Sequence, residues 1–291
     1  MNTSISNKRI VVLYHNFCRD GFAGAWVAWQ KFKDKAVYIP VDHQSPPPEL
    51  ETGKEIYCID FPYPQHILAD LEKHHKSVVV IDHHQSASLW LSHRARCVFN
   101  CKHSGSMLAW NYFFSKKTPP KLLRYIEDED LWKFSIKNTR FVTLVLDTIP
   151  YAFASWNLFE KKLKKRSTSA IIFEQGKAIH AYRQFVIGEI VSVARPVVFN
   201  KYHVLEVGAP YVFRSEVGAR LAEIKKSFGI VWTRGRTRTY VSLRSDGSVD
   251  VSKIAARYGG GGHPSAAGFI ITNGDPFPWK PDKLKKPRGK K

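Results

Sequence analysis

The sequence predicts an α/β protein in two lobes, the first a parallel sheet flanked by helices and the second a smaller α/β domain. Three observations carry that reading. Buried apolar runs alternate with helical segments from Ile10 to about Trp132, and this alternation means a parallel sheet with helices on both faces. Each of three such runs ends in Asp or His, at the edge where open α/β sheets bind ligands. The chain has 291 residues, enough for two domains at roughly 150 residues each.

The elements follow in order. Ile10-Val11-Val12-Leu13-Tyr14 is a buried strand that runs into His15, Cys18 and Asp20. A helix over Phe22 to Phe32 places Trp26, Trp29 and Phe32 at helical spacing on a core face. Asp42 to Gly53, with three consecutive prolines, reads as loop and turn. Ile56-Tyr57-Cys58-Ile59 is the second strand and ends in Asp60, with a helix over Gln65 to His75 after it. Val78-Val79-Val80-Ile81 is β-branched throughout, as a buried strand favours, and runs into Asp82-His83-His84. A short strand over Arg96 to Asn100 and a helix over Ser104 to Phe114 come next. Pro119-Pro120 then opens a helix over Lys121 to Ile126, which leads into Glu127-Asp128-Glu129-Asp130-Leu131-Trp132.

The first domain therefore spans 8–150 and a helical connector 151–196. The second domain, 197–274, has Val204-Leu205-Glu206-Val207 as its first strand and a helix over Ser215 to Lys226. Phe228 to Thr233 and Thr237 to Ser245 form a hairpin turning at Arg234-Gly235-Arg236. A helix over Val251 to Tyr258 is stopped by the loop Gly259-Gly260-Gly261-Gly262-His263-Pro264, and 275–291 is a basic tail.

Composition narrows the function. The net charge of +20, from 45 Lys and Arg against 25 Asp and Glu, attracts polyanions. The runs Lys161 to Arg166 and Lys280 to Lys291 support nucleic-acid affinity without specifying it. No apolar stretch approaches the ~18–20 residues of a membrane span. The N-terminal segment lacks the apolar core of a signal peptide, so a cytoplasmic protein is expected. Its four cysteines suit a reducing compartment, and Cys97 and Cys101 have no second pair with which to build a structural zinc site.

The chemistry sits at the strand ends. One strand-end Asp commonly caps the next helix, but three such ends together suggest a polynuclear metal site. Carboxylate with imidazole suits borderline-hard divalent ions, with Mn²⁺ favoured and Mg²⁺ or Co²⁺ acceptable. Two ions about 4 Å apart clamp a phosphodiester and generate a hydroxide nucleophile at neutral pH. His15, Asp20, Asp60, His83 and one acid from Glu127 to Asp130 would supply most of the ligands.

Five motifs stand in register over roughly residues 8–275. They are His15…Asp20-Gly21, Asp60, Asp82-His83-His84, Asp128-x-Asp130-Leu131-Trp132, and Gly259 to Phe269 with its Gly-Gly-Gly-Gly-His-Pro-Ser-Ala-Ala-Gly-Phe run. In this the sequence resembles the DHH-family phosphoesterases, and the last motif resembles their C-terminal DHH-associated domain. The resemblance implies His15 and Asp20 as metal ligands, Asp60 as a bridge between two ions, and His83 with Asp128 at the second. Asp128 is preferred to Asp130 because it matches the family position. His84 would contact phosphate, and Asp82 would orient the histidines from behind. The family commonly has Asp where this chain has Cys18. That thiol either packs inertly beside the site, the preferred reading, or ligates softly.

Arg244, the backbone of Gly260, Gly261 and Gly262, and His263 would bind the far end of a substrate. His103, before the helix N-terminus at Ser104, is added as a phosphate contact. The reaction expected is hydrolysis of short RNA or DNA oligonucleotides, oligoribonuclease-like, with a nucleotide 3′-phosphatase activity also open. A single-strand DNA exonuclease and a catalytically impaired nucleic-acid-binding protein are the competing readings. A homodimer is compatible with the sequence.

Overall fold

The computed structural model describes residues 8–42, 45–84 and 96–282. The chain divides into two compact units between His180 and Ala181, within a single long helix, Arg166–Ser192.

The first unit is a five-stranded parallel sheet of β1 (Ile10–His15), β2 (Ala36–Val41), β3 (Glu55–Ile59), β4 (Ser77–Asp82) and β5 (Cys97–Phe99), in the order β2-β1-β3-β4-β5. Its register positions the chemistry. Tyr14 pairs with Ile59 and Ile59 with Ile81, so His15, Asp60 and Asp82 leave the sheet as one row at its C-terminal edge.

Strand β2 was not expected. Pro40 lies within it and removes a donor, which reads against a central strand. The sheet order resolves the conflict, because β2 is an edge strand that pairs only with β1 and can leave one side without hydrogen bonds.

Helices α1 (Arg19–Phe32), α2 (Gln65–His74), α3 (Gly105–Phe114), α4 (Lys121–Asp130), α5 (Thr139–Leu146) and α6 (Phe153–Lys164), with the part of α7 (Arg166–Ser192) up to His180, complete the unit. One core packs Trp26 of α1 and Trp156 of α6 with Met107, Leu122 and Val142. The Trp26 indole N–H donates to Asn157 at 2.9 Å, so this large ring is buried without an orphaned donor. The opposite core joins Val11, Leu13, Ile56 and Val78 of the strands to Leu68 and Leu71 of α2.

Helix α4 runs on through the acidic segment to Asp130 instead of ending at Ile126. Carboxylates at a helix C-terminus oppose its dipole. Arg19 offsets them by pairing with Glu129 and, at 2.9 Å, with Asp147. This extension decides which acids can share a site. Residues two apart on a helix lie ~200° apart around its axis, so Asp128 and Asp130 face different ways.

The second unit is a seven-stranded sheet, ordered β10-β11-β9-β8-β7-β6-β12. Its strands are β6 (Arg195–Phe199), β7 (Tyr202–Gly208), β8 (Phe228–Arg234), β9 (Arg238–Ser245), β10 (Gly261–His263), β11 (Ala266–Thr272) and β12 (Lys280–Pro281), with α8 (Arg214–Lys225) and α9 (Val251–Ala256). β7 and β8 pair in parallel and the other neighbours antiparallel.

Three expectations change here. Val204 does not lie in the first strand, because β6 precedes it and forms a hairpin through Asn200 and Lys201, with φ of 46° and 67°. Both are left-handed, as a tight two-residue turn demands, and a lysine in the second place conceals the signal. The glycine run is not wholly a loop, since β10 pairs with β11, Gly262 opposite Ala267. Nor is the segment from Asp275 a loose tail. Trp279 is buried against Phe199 and Phe277, and β12 closes onto β6; the rest of the proposed tail lies outside the described residues. No helix among the described residues is long and apolar enough to cross a membrane.

Trp279 is thus a core residue of the second unit. Trp279→Ala should cost about 3–5 kcal/mol, read as a lowered thermal midpoint, whereas truncation after Asp282 should leave the midpoint unchanged. Equal melting of Trp279→Ala and the parent would mean that this segment is dispensable.

Candidate metal centre at the sheet edge

Asp60 is the centre of the site. It follows β3 with a left-handed φ of 65°, uncommon for a residue with a side chain, while its N–H donates to the Ile81 carbonyl at 2.9 Å. Strand pairing on one side and the reversed backbone on the other turn the carboxylate toward the row of histidines. The residue is 1% exposed, and neither carboxylate oxygen accepts a hydrogen bond of acceptable geometry. His15 Nδ1 stands 3.5 Å from one oxygen and His83 Nε2 3.3 Å from the other. A buried charge left so sparsely bonded is costly.

Around it the donors fall into three groups, each with ligand atoms within 4.8 Å of one another: His15, Cys18 and Asp60; Asp60, His83 and His84; and Asp20, His83 and Asp130. The first and third share no residue, and the second joins them through Asp60 and His83. Asp20, at the start of α1, accepts from Ser106 N–H at 3.2 Å and Ser106 Oγ at 2.5 Å. Asp130 brings its carboxylate within 3.5 Å of His83 Nε2. His84 donates from Nδ1 to Asp82 at 2.7 Å, and its backbone N–H reaches the same carboxylate at 3.3 Å.

The electrostatics describe a carboxylate cluster short of positive charge. Burial alone would raise the Asp60 carboxyl, yet its contacts with His15 and His83 hold it well below the usual range. Asp20 is pushed well up by burial and by Asp60 and Asp130. Asp130 rises to about 6, through desolvation and the Asp60 charge against the pull of His83. Burial opposes protonation of the histidines, but Asp60 and Asp130 lift His83 to about 10 and Asp82 lifts His84 to about 9. The Cys18 thiol is driven far up by burial and the three carboxylates.

A divalent cation fits this donor set. It would satisfy the unbonded Asp60 oxygens, offset the repulsion among three acids, and be met by imidazole and carboxylate together.

Close approach of the helices requires Gly105. A Cβ there would lie 2.9 Å from Asp60 Cβ and 3.0 Å from an Asp20 carboxylate oxygen. Ser104 caps the same helix, its Oγ accepting from Met107 N–H at 3.3 Å, so the N-terminal turn of α3 is locked against the cluster.

Of the expected ligands, His15, Asp20, Asp60 and His83 come together, and Cys18 stands among them. Asp128 does not. Its carboxylate accepts from Ser135 N–H at 2.9 Å, Ser135 Oγ at 2.7 Å, Ile136 N–H at 3.1 Å and Thr139 Oγ1 at 2.6 Å, and these bonds hold it below the usual range against the effect of burial. It ties α4 to α5, and Asp130 takes the place at the cluster. Asp82 bonds His84 alone among the bonds described for it. His103 pairs with Glu127 at 3.2 Å and, with Asp128 and Arg124, lines a separate cavity of about 380 Å³. Ser104-Gly105-Ser106 was expected only as a helix start, a cap or an anion contact; the structure turns it instead to the carboxylates, Ser106 onto Asp20 and Gly105 against Asp60.

In the second unit, Arg244 donates to Ser215 Oγ and to the Leu243 carbonyl, each at 2.9 Å. Burial and the neighbouring Arg214 lower it to about 10. Gly260 precedes β10, and Gly261, Gly262 and His263 form it. Gly262 adopts φ 140°, and a Cβ there would meet the Ala266 carbonyl oxygen at 2.5 Å.

Comparisons with known proteins bear on this two-unit architecture and its donor cluster. Residues 202–286 match the DHHA1 domain model. An uncharacterised protein of Acanthamoeba polyphaga mimivirus is 31% identical over 289 residues, covering 90% of this chain and 67% of that protein. Among solved structures, the DHH domain of a member of a ribosomal-protein family aligns over 91% of this chain and 83% of its own, at 12% identity and a TM-score of 0.57. A pGpG-specific phosphodiesterase from Vibrio cholerae aligns over 91% and 94% at 14% identity, with a TM-score of 0.47. Residues 202–286 thus carry a DHHA1 domain, and the chain has the fold of a protein described as a DHH domain.

Two predictions follow from the geometry. Asp128→Ala should cost about 2–4 kcal/mol by orphaning buried donors, and Asp130→Ala should melt at or above the parent temperature yet lose activity. Thermal melts and rates on the same preparations check this; the reverse pattern would exchange the two roles. Because the Asp128 carboxyl is depressed, its stabilisation is present above the unfolded value near ~3.9 and lost as pH falls through the lower folded value.

With His83 and His84 raised to about 10 and about 9, both carry protons near neutral pH in the absence of metal. Mn²⁺ binding at His83 must then release its proton, and affinity should climb with pH toward about 10. Calorimetric titration in buffers of different ionisation enthalpy counts the protons released; a count of zero near pH 7 would show that ring neutral beforehand.

Proposed function

We propose that the protein is a divalent-metal-dependent phosphodiesterase that hydrolyses short oligonucleotides. The observation that carries the reading is Asp60, buried at a sheet edge, its two oxygens faced by His15 and His83 and shared between two donor groups. His15 and Asp20, with Cys18 beside them, and His83 and Asp130 are the residues that would hold two ions, with Asp60 shared. Mixed carboxylate and imidazole donors favour Mn²⁺. Bound there, divalent ions supply Lewis-acid stabilisation of phosphoryl charge and a nucleophile at neutral pH.

The chain's own groups do the rest. Asp82 accepts from His84 Nδ1, which fixes the ring so that Nε2 can donate to a phosphoryl oxygen. Arg19 holds the acidic end of α4 in place through Glu129, and so positions Asp130. Arg244, His263 and the Gly260 to Gly262 backbone are the proposed contacts to the far phosphate or base. The net charge of +20 supports a polyanionic substrate. With contacts confined to a few groups, dinucleotides to pentanucleotides are preferred over long strands.

Activity should require Mn²⁺ or a similar ion, vanish in EDTA, and fall at least a hundredfold in Asp60→Ala and in His83→Ala, both still folded by circular dichroism. At roughly 150–200 mM salt, short oligonucleotides should be cut efficiently while cleavage of twenty-mers declines steeply with further salt. Full turnover in chelator would sink the metal reading. Twenty-mers remaining the better substrate at high salt would favour the exonuclease alternative, and no turnover on any phosphoester the impaired binding protein.

A further inference from the structure

The hairpin of β8 and β9 carries a surface that catalysis does not use. Alternate residues of a strand share a face, so Arg238, Tyr240, Ser242 and Arg244 line one side of β9, while Thr239, Val241 and Leu243 are buried on the other. Across the strand boundary, Ile270 stands opposite Tyr240 and Gly268 opposite Ser242. Tyr240 is 44% exposed and Ile270 44%, high values for large side chains at the middle of paired strands. Tyr211, 46% exposed, meets Tyr240 edge to face at 6.3 Å. The Arg214 guanidinium stacks 3.5 Å from the Tyr211 ring centroid.

Positive charge surrounds these rings. Arg234, Arg236 and Arg238 are exposed around the turn and form no ion pair among the described residues. The exposed stretch ends at Tyr240, because Ser242 is buried and Arg244 lies against Ser215 and Gly218 of α8. Exposed rings interleaved with arginines are the physical requirement for holding single-stranded nucleic acid, the bases stacking and the phosphates pairing. An acidic protein partner would use the arginines but has no need of the open ring faces.

We propose that this stripe is a base-stacking platform for single-stranded oligonucleotide, with Tyr240 as its central ring, Tyr211 and Arg214 as its side wall, and Arg238 holding the backbone. It deepens the oligonucleotide reading above by naming residues that bind bases beyond the cleaved phosphate, and it rests on that reading for its biological role. Binding itself is separable from hydrolysis.

The test measures fluorescence anisotropy of a labelled single-stranded decanucleotide on the full chain in EDTA, beside Mn²⁺-dependent hydrolysis of bis(p-nitrophenyl) phosphate. Tyr240→Ala should weaken decanucleotide binding about tenfold, and Tyr240→Phe should retain it. Arg238→Ala should lower the slope of log affinity against log salt by about one phosphate contact. An abasic strand of the same length should bind the parent as weakly as the intact strand binds Tyr240→Ala. Hydrolysis of the small diester should be unchanged in all three variants.

Equal binding by Tyr240→Ala and the parent, or an abasic strand that binds the parent as well as the intact one, would overturn the platform. So would equal loss in Tyr240→Phe and Tyr240→Ala. An acidic protein bound through the arginines would give that abasic result. Failure of the parent to hydrolyse any diester would instead strike the enzymatic reading and leave the binding result to stand alone.

Discussion

Three carboxylates and three imidazoles held together at the end of a parallel sheet are the constraint that the first unit is built to satisfy. Asp20, Asp60 and Asp130 would separate in water. Here the register of β1, β3 and β4 holds the row, the first turn of α3 pins Asp20 through Ser106, and Arg19 fastens the acidic end of α4. None of these devices neutralises Asp60 itself. In the metal-free protein His83 does that in part, by keeping a proton it would otherwise lose. The same geometry that is costly to assemble is therefore ready for a cation, and the affinity for that cation is the repulsion it relieves.

The second unit meets a different constraint. Its sheet must present one face to a core containing Phe199, Phe228 and Trp279 and leave part of the other available. Alternation along β9 does this with no special loop: Thr239, Val241 and Leu243 are buried on one side, and Arg238 and Tyr240 are exposed on the other. The chain's positive charge is thereby placed on a defined surface as well as in the Lys161 to Arg166 run.

Much of this was legible in the sequence because the strands of the first unit are apolar runs with chemical residues at their ends, and because the motifs recur in a fixed order. What escaped did so for local reasons. Pro40 disguised β2, whose edge position removes the objection to proline. Lys201 hid the hairpin turn that makes β6 a strand. Asp130 was set aside for Asp128 because Asp128 matched the family position, and the helix was expected to end at Ile126, before either acid. Once the helix extends through Asp130, the phase of the turns separates the two carboxylates, one to tie α4 to α5 and one to the cluster. Gly105 had no signature at all, since its importance lies in the distance to Asp60, which only the assembled fold defines.

The wide sequence separation of the cluster has a kinetic meaning. Its members come from β1, α1, β3, β4 and α4, so nearly every contact in it closes a long loop, and such contacts form late and slowly. A parallel sheet requires the same, because each strand must wait for its crossover helix. During synthesis, His15, Cys18, Asp60, His83 and His84, the donors of two of the three groups, emerge well before Asp130, and the third group waits for the acid at the end of α4. The full repulsion among the three carboxylates is therefore met only when α4 docks.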